Sequence, residues 1–327
     1  MSRVSVIGAG AFGTALATVA VRAGHRVTLH GRDAGQMAEM AASRENTRYL
    51  PGLALPEPLA YASDLSTVRE ADTVILAVPT QSLATAAAAL RDRLDPGRLL
   101  LAAAKGLEQH SGRFVTAILQ AELPMIVPAI LSGPSFAVDI VRGLPTAVTL
   151  AARDGLAASA LAAALSGPSF RIYHTDDVTG VEIGGAAKNV LAIAAGIVIG
   201  AGLGESARAA LIARGFAELR RLAAALGARA ETLMGLSGLG DLVLTAASPQ
   251  SRNFSLGAGL GRGESVADLL AAGKLAEGAY TAPALVRLAQ DKGVDMPIST
   301  AVAAVLAGQL DVREAVAALM ARPSRGE

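Results

Sequence analysis

Along the first half of the chain, short runs of aliphatic and β-branched residues alternate with alanine-rich stretches of helical character. "RVSVIG", "RVTLHG", "DTVILAVP", "RLLLAAAKG", "AILSGP" and "TAVTLAA" read as strands buried on both faces, several of them stopping at Gly or Pro. Helix-like segments such as Thr14–Ala23, Gln81–Leu94 and Arg113–Ala121 lie between them. This alternation predicts a parallel sheet covered by helices on both sides. The run "FRIYHTDD", Phe170–Asp177, closes this half as a last strand. From Val178 the strand pattern stops and 3.6-residue periodicity takes over, in Val178–Ile199, Glu205–Leu226, Ser265–Ala272, Ala282–Lys292, Ser299–Ala307 and Val312–Ala321. The expected fold is therefore α/β, with a doubly wound sheet over residues 1–177 and an all-helical domain over residues 178–327. The tail "RPSRGE" is expected to be loose, and no internal repeat is visible.

Composition narrows the function without naming it. With 327 residues, 52% of them hydrophobic and 17% charged, the chain is globular and long enough for two cores. A formal net charge of +1 supplies no field for nucleic acid or an acidic membrane surface. The absence of cysteine excludes disulfides and thiolate metal sites and fits a reducing cytoplasm. His25, His30, His110 and His174 have no metal-ligand spacing, so no metal is expected. The start "MSRVSVIGAG" lacks an apolar core followed by a cleavage site, so no signal peptide is expected. Val190–Leu203 is the strongest membrane candidate, but Glu182, Lys188 and Glu205 bound it, glycines interrupt it, and it is short for a span. It reads as a core helix, and no integral span is expected.

Candidate chemistry begins at "GAGAFG", directly after the first strand and ahead of a helical run. Gly8 and Gly10 permit a tight turn and close approach of a pyrophosphate, and Gly13 lets helix and strand pack closely. The N–H groups of the helix start then face the anion. This is the position of a dinucleotide-binding, Rossmann-type turn. The second strand ends in "LHGRD", where an NAD-selective site places an acid to hold the ribose 2′-hydroxyl. Arg32 there suits a 2′-phosphate, which favours NADP, with NAD as the alternative. Asp33, one residue on, is open to two readings, an acid near the ribose or only the N-cap of the following helix.

The second half holds an anomaly. In "GGAAKNVLAIAAGIVIG", Gly184 to Gly200, a lysine and an asparagine stand side by side in an otherwise small and apolar run. Burying an unpaired ammonium is costly, so Lys188 and Asn189 are either accidental or the purpose of the segment.

Taken together, "VIGAGAFGTALA", "NTRYLPG", "VILAVPTQ", "AAKGLE", "LSGPSFAVDI", "EIGGAAKNVLAIAAGI", "TLMGLSGLGDLVLT", "SRNFSLG" and "EGAYTA" resemble the bacterial NAD(P)-dependent glycerol-3-phosphate dehydrogenases. The resemblance runs over nearly the whole chain and in the family's order. It implies reversible hydride transfer between a nicotinamide and dihydroxyacetone phosphate, giving sn-glycerol 3-phosphate for glycerophospholipid synthesis. It also implies an active site between the two domains.

By that resemblance Lys188 is the catalytic lysine, giving a proton to the carbonyl oxygen in reduction and taking it back in oxidation. Asn189 adds a neutral hydrogen bond to substrate. Asp241 either holds the lysine or binds a substrate hydroxyl; a capping role after glycine is also open. Ser251, Arg252 and Asn253 precede a plausible helix and suit a phosphate dianion. The family places Arg252 near the cofactor too. Lys105 follows a strand, at the carboxyl edge where ligands bind, and the resemblance sets it against substrate and cofactor. Gly133 and Ser135 are implied substrate contacts, with Ala11, Phe12, Ala137, Leu275 and Glu277 on the cofactor.

The chain departs from the family pattern in four places. Ala11 stands where serine is common, Phe12 where tryptophan is, and Ala187 where leucine is usual. "GIVIGAGLGESARAAL" lacks the frequent "DGLGFGDN" wording. The competing readings are another hydroxy-acid or 6-phosphogluconate type dehydrogenase, and a nucleotide sensor without turnover. The triplet Ser251–Asn253 and Asp241 argue against the first, and the proton donor and phosphate grip against the second. The oligomeric state stays open, a homodimer included.

Overall fold

A computed structural model describes residues 1–271 and 276–323. Eight strands form one sheet: β1 (Arg3–Ile7), β2 (Arg26–His30), β3 (Ala60–Ala62), β4 (Thr73–Leu76), β5 (Leu99–Ala102), β6 (Val127–Ser132), β7 (Thr146–Ala152) and β8 (Phe170–Thr175). Their order is β3-β2-β1-β4-β5-β6-β7-β8, so the winding reverses between β1 and β4. Alternate residues of each strand enter different cores. Ile75, Leu101 and Leu131 join the core under helices Ala11–Arg22 and Gly155–Leu165. Val74, Leu76, Leu100 and Ile130 join the core under helices Leu83–Ala88 and Val115–Glu122. Burial on both faces is why these strands read as continuous apolar runs rather than as alternation.

Several expectations need correction. The sheet is parallel except at one pairing, where β7 runs antiparallel to β6. The helix between those strands, Ala137–Arg142, has only six residues. At about 9 Å it is too short to carry the chain back along a strand of about 20 Å. Strand β3, three residues long, left no sequence signal. The stretch expected as helix Gln81–Leu94 is a 3₁₀ turn Thr80–Ser82 and a helix Leu83–Ala88. Beyond it, Leu90, Arg91 and Arg93 donate to carbonyls three residues back, which tightens the chain out of the α ladder. In the second half, helix Glu277–Asp291 starts ahead of Ala282 and holds Pro283 inside, because Gly278 and Thr281 are buried with Ala282 and Leu285.

By packing, the described chain forms two compact units, Met1–Lys105 with Arg113–Glu182, and Gly106–Gly112 with the residues from Ile183 onward. The division falls inside helix Val178–Gly200 rather than ahead of Val178. Val181 belongs to a core of the first unit. Glu182 caps another helix of that unit, accepting from Thr116 N at 2.7 Å and from Thr116 Oγ1 at 3.1 Å. Among the described residues, Val178–Gly200 is the one helix long and apolar enough to cross a membrane, and 89% of its apolar window is buried inside the protein. In the second unit it meets helix Arg252–Gly261 backbone to backbone. A Cβ at Gly196 would lie 2.1 Å from the Phe254 carbonyl oxygen, and one at Gly257 would lie 2.0 Å from that of Ile193. The glycines that interrupt the apolar run are thus the crossing point of two helices.

Burial pushes the Glu182 carboxyl up from near 4.5 to about 7, against the two bonds from Thr116. A folded-state value above the unfolded one means the folded chain binds the proton more tightly. Stability from this group is therefore greatest below about pH 4.5 and falls as pH rises to about 7. Glu182→Gln removes that dependence. Melting temperatures of the variant and the parent, compared between pH 5 and pH 8, should diverge in favour of glutamine up to about neutral pH and then run parallel. A difference that stays constant with pH would place the titration elsewhere.

Candidate active site

The first unit brings its site residues to the carboxyl edge of the sheet. Gly8 follows β1 with φ +118°, and its N–H donates to the His30 carbonyl at 2.9 Å. A Cβ there would meet the Ala77 oxygen at 2.5 Å, so only glycine fits where the winding reverses. Gly13 is pressed on the same turn, with a Cβ position 1.8 Å from the Gly8 oxygen. Gly10 differs: a Cβ there would meet nothing within 4 Å. Gly10 is the N-cap of helix Ala11–Arg22, whose first turn has neither a side-chain cap nor an acidic residue. Open space at Gly10 and a helix start without a competing carboxylate fit a pyrophosphate.

Around that turn, Phe12 is half-buried and Lys105 Nζ lies 5.7 Å from its ring centroid. Lys105 Nζ also donates to the Gly133 carbonyl at 2.8 Å, where Ser135 Oγ donates at 2.9 Å. The structure therefore joins Phe12, Lys105, Gly133 and Ser135, and Ala137 opens the short helix after them. Arg32 is exposed just past β2. Asp33 takes the capping role, accepting from Gln36 N at 3.1 Å.

In the second unit, Lys188 is only 6% exposed. Its Nζ donates to Asp241 Oδ1 at 2.5 Å and to Thr245 Oγ1 at 2.9 Å, and Thr245 Oγ1 donates to the same carboxylate oxygen at 3.2 Å. Buried charge is tolerated when paired and hydrogen-bonded, and here it is both. Asp241 opens helix Asp241–Ala247, and these side-chain bonds go to the lysine and to Thr245 one turn on, while Gly240 occupies the cap position. Sequence reasoning missed Thr245; its signal was its spacing, four residues after Asp241 on one helical face.

A single π turn, Leu236–Gly240, delivers the carboxylate, closed by Gly240 N to the Gly235 oxygen at 3.1 Å. It rests on Gly184, one turn before Lys188, where a Cβ would lie 2.7 Å from the Ser237 oxygen. The glycines of "GGAAKN" and "GLSGLGD" are thus the two sides of one close approach.

Asn189 and Asn253 are also brought together. Asn253 Nδ2 donates to Asn189 Oδ1 at 2.9 Å, and Asn253 Oδ1 accepts from Gly278 N at 2.9 Å. Ser251 caps helix Arg252–Gly261 by accepting from Phe254 N at 3.2 Å, and Arg252 is exposed as its first residue. Glu277 opens helix Glu277–Asp291. Leu275 lies outside the described residues.

Comparison with known proteins places the chain in a family. Residues 3–158 match the family model of the NAD-dependent glycerol-3-phosphate dehydrogenase N-terminus, and residues 177–317 that of its C-terminus. A glycerol-3-phosphate dehydrogenase [NAD(P)+] of Methylobacterium radiotolerans is 58% identical over 325 residues, 99% of this chain and 98% of the relative. One of a Bradyrhizobium species is 58% identical over 324 residues, again 99% of this chain and 98% of the relative. A crystal structure of the Coxiella burnetii glycerol-3-phosphate dehydrogenase superposes with a TM-score of 0.93 at 38% identity, covering 98% of this chain and 99% of that one. Two family models that between them span nearly the whole chain, with relatives this similar end to end, make it a member of the NAD-dependent glycerol-3-phosphate dehydrogenase family.

Proposed function

We propose that this chain is the oxidoreductase that reduces dihydroxyacetone phosphate reversibly to sn-glycerol 3-phosphate with NAD(P)H, supplying glycerophospholipid synthesis in the cytoplasm. The observation that carries the reading is the buried Lys188, held by Asp241 and Thr245. A nicotinamide held at the glycine turn would supply the hydride. As hydride reaches the carbonyl carbon, negative charge grows on the oxygen, and Lys188 Nζ gives it a proton to complete the alcohol. In the oxidative direction the neutral amine takes that proton back. Asp241 keeps the ammonium in place between turnovers and offsets the cost of its burial.

The remaining roles follow the family resemblance, with placement in support where the residue is described. Arg252, exposed at the start of a helix that Ser251 caps, takes the substrate phosphate. Asn253 has one amide hydrogen on Asn189, which aligns both amides for the substrate hydroxyls. Lys105, Gly133 and Ser135 form the substrate side of the first unit; Gly8, Gly10, Ala11, Phe12, Gly13, Arg32, Lys105, Ala137, Arg252, Leu275 and Glu277 hold the cofactor. Arg32, exposed next to a capping Asp33, reads the 2′-phosphate, so NADPH is preferred to NADH.

Steady-state assays with dihydroxyacetone phosphate and each reduced cofactor test the reading. Lys188→Ala should lower turnover by about 10²- to 10⁴-fold while NADPH still binds. Lys188→Arg should fail as well, because a guanidinium keeps its proton. Near-normal turnover in the alanine variant would remove the mechanism.

Arg252→Ala should raise the KM for dihydroxyacetone phosphate by roughly 10- to 100-fold, the range of a charge-assisted hydrogen bond. An unchanged KM would put the phosphate site elsewhere. Arg32→Asp should raise the KM for NADPH about tenfold or more and leave NADH little affected, since only NADPH brings the repelled phosphate. Should the two constants move together, Arg32 does not read the 2′ position.

A further inference from the structure

The run "NTRYLPG" has no part in the chemistry above, yet its first residue is completely buried and polar. Asn46 Nδ2 donates to the Ala9 carbonyl at 3.1 Å and to Thr14 Oγ1 at 2.8 Å. A second amide reaches the same carbonyl: Gln36 Nε2 donates to Ala9 O at 3.1 Å and also approaches Asn46 Oδ1 at 3.5 Å. Ala9 is the residue between the first two glycines of the dinucleotide turn. Its carbonyl oxygen has two lone pairs, and both are taken.

A trans peptide points its C=O and its N–H in opposite directions. Two donors that hold the Ala9 oxygen inward therefore turn the Gly10 N–H outward. Were this peptide to rotate, a carbonyl oxygen would replace an N–H on the anion side of the turn, next to where phosphate charge must sit. Glycine at position 10 adopts either sign of φ, so its own backbone does not forbid that rotation. Something other than local sterics must hold it.

We infer that Asn46 and Gln36 are positioning residues that lock the Ala9–Gly10 peptide in its anion-binding orientation, an inference that rests on the dinucleotide reading of this turn. Neither residue touches the cofactor in this scheme. Each acts through the Ala9 carbonyl. Asn46 is itself fixed by its place in the chain, because its backbone oxygen accepts from Leu50 N at 2.7 Å and Tyr49 N at 3.1 Å. Gln36 belongs to helix Ala34–Ser43, whose cap Asp33 directly succeeds Arg32.

The test is direct titration of the full-length protein with NADPH and with NADH, monitored by nicotinamide fluorescence with no second substrate present. Gln36→Met keeps length and helix and loses the donor. Asn46→Asp keeps shape and sets a carboxylate against the carbonyl. For Gln36→Met the Kd of both cofactors should rise together by about 3- to 10-fold, the range of one hydrogen bond. Asn46→Asp should weaken both by about tenfold or more. At saturating NADPH, kcat and the KM for dihydroxyacetone phosphate should match the parent.

A folded Gln36→Met protein that binds both cofactors as the parent does would overturn the inference, even if Asn46→Asp lowers the melting temperature or does not fold. Loss confined to NADPH would overturn it too, since the effect would then run through Arg32. Failure of the parent to bind either cofactor is a different result, and it would remove the dinucleotide reading itself.

Discussion

An ammonium that is only 6% exposed can exist only beside a partner, and the pairing of Lys188 with Asp241 dictates much of the second unit's backbone. The two residues lie 53 positions apart, so the chain has to bring a carboxylate to a fixed point on an apolar helix. The preceding helix Ala230–Met234 ends at Gly235, whose backbone is extended, and the π turn Leu236–Gly240 leads into the helix that Asp241 opens. That turn needs to approach the lysine helix closely, and Gly184 supplies the room. Removing either partner would leave a buried, uncompensated charge, which is why pair and packing stand together.

In the first unit the glycine turn after β1 is built from close backbone contacts rather than from a buried ion pair. Two side chains, Asn46 and Gln36, reach the Ala9 carbonyl within that turn. Gly8 and Gly13 give up their side chains to bring backbone against backbone, whereas Gly10 gives up its own to leave space. The same residue type thus serves compression at two positions and access at a third. Asn46 and Gln36 are neutral amides, so they orient the carbonyl without adding a charge that would compete with phosphate. This division suits a chain whose formal net charge is only +1.

How much of this was legible in the sequence depends on the range of each interaction. Strands buried on both faces announce themselves as apolar runs, and the glycine turn after β1 is a local pattern; both read correctly. The antiparallel β7 did not, because strand direction depends on a connection whose helix is too short to cross. Lys188 stood out as a cation in an apolar run, but Thr245 looked ordinary until helix Asp241–Ala247 placed it one turn from the carboxylate. Gly184, Asn46 and Gln36 were invisible for a further reason. Their partners are 27 to 53 residues distant, or are backbone oxygens that any sequence possesses.

The alanine-rich wording of helix Val178–Gly200 arises from the same geometry. Neighbouring residues on a helix point about 100° apart, so Lys188 and Asn189 address different partners. The lysine meets Asp241 and Thr245, while the asparagine meets Asn253, which in turn holds Gly278 at the start of helix Glu277–Asp291. One stretch of backbone therefore has to accept close neighbours on two sides. Gly184 admits the π turn on one side, and Gly196 and Gly257 admit helix Arg252–Gly261 on the other. Larger side chains between them would push these elements apart, since added volume in a packed core costs about 1–3 kcal/mol and moves backbone. Such a displacement would also lengthen the 2.5 Å contact between the amine and its carboxylate. Small residues around one lysine are thus the condition under which it can be both buried and charged.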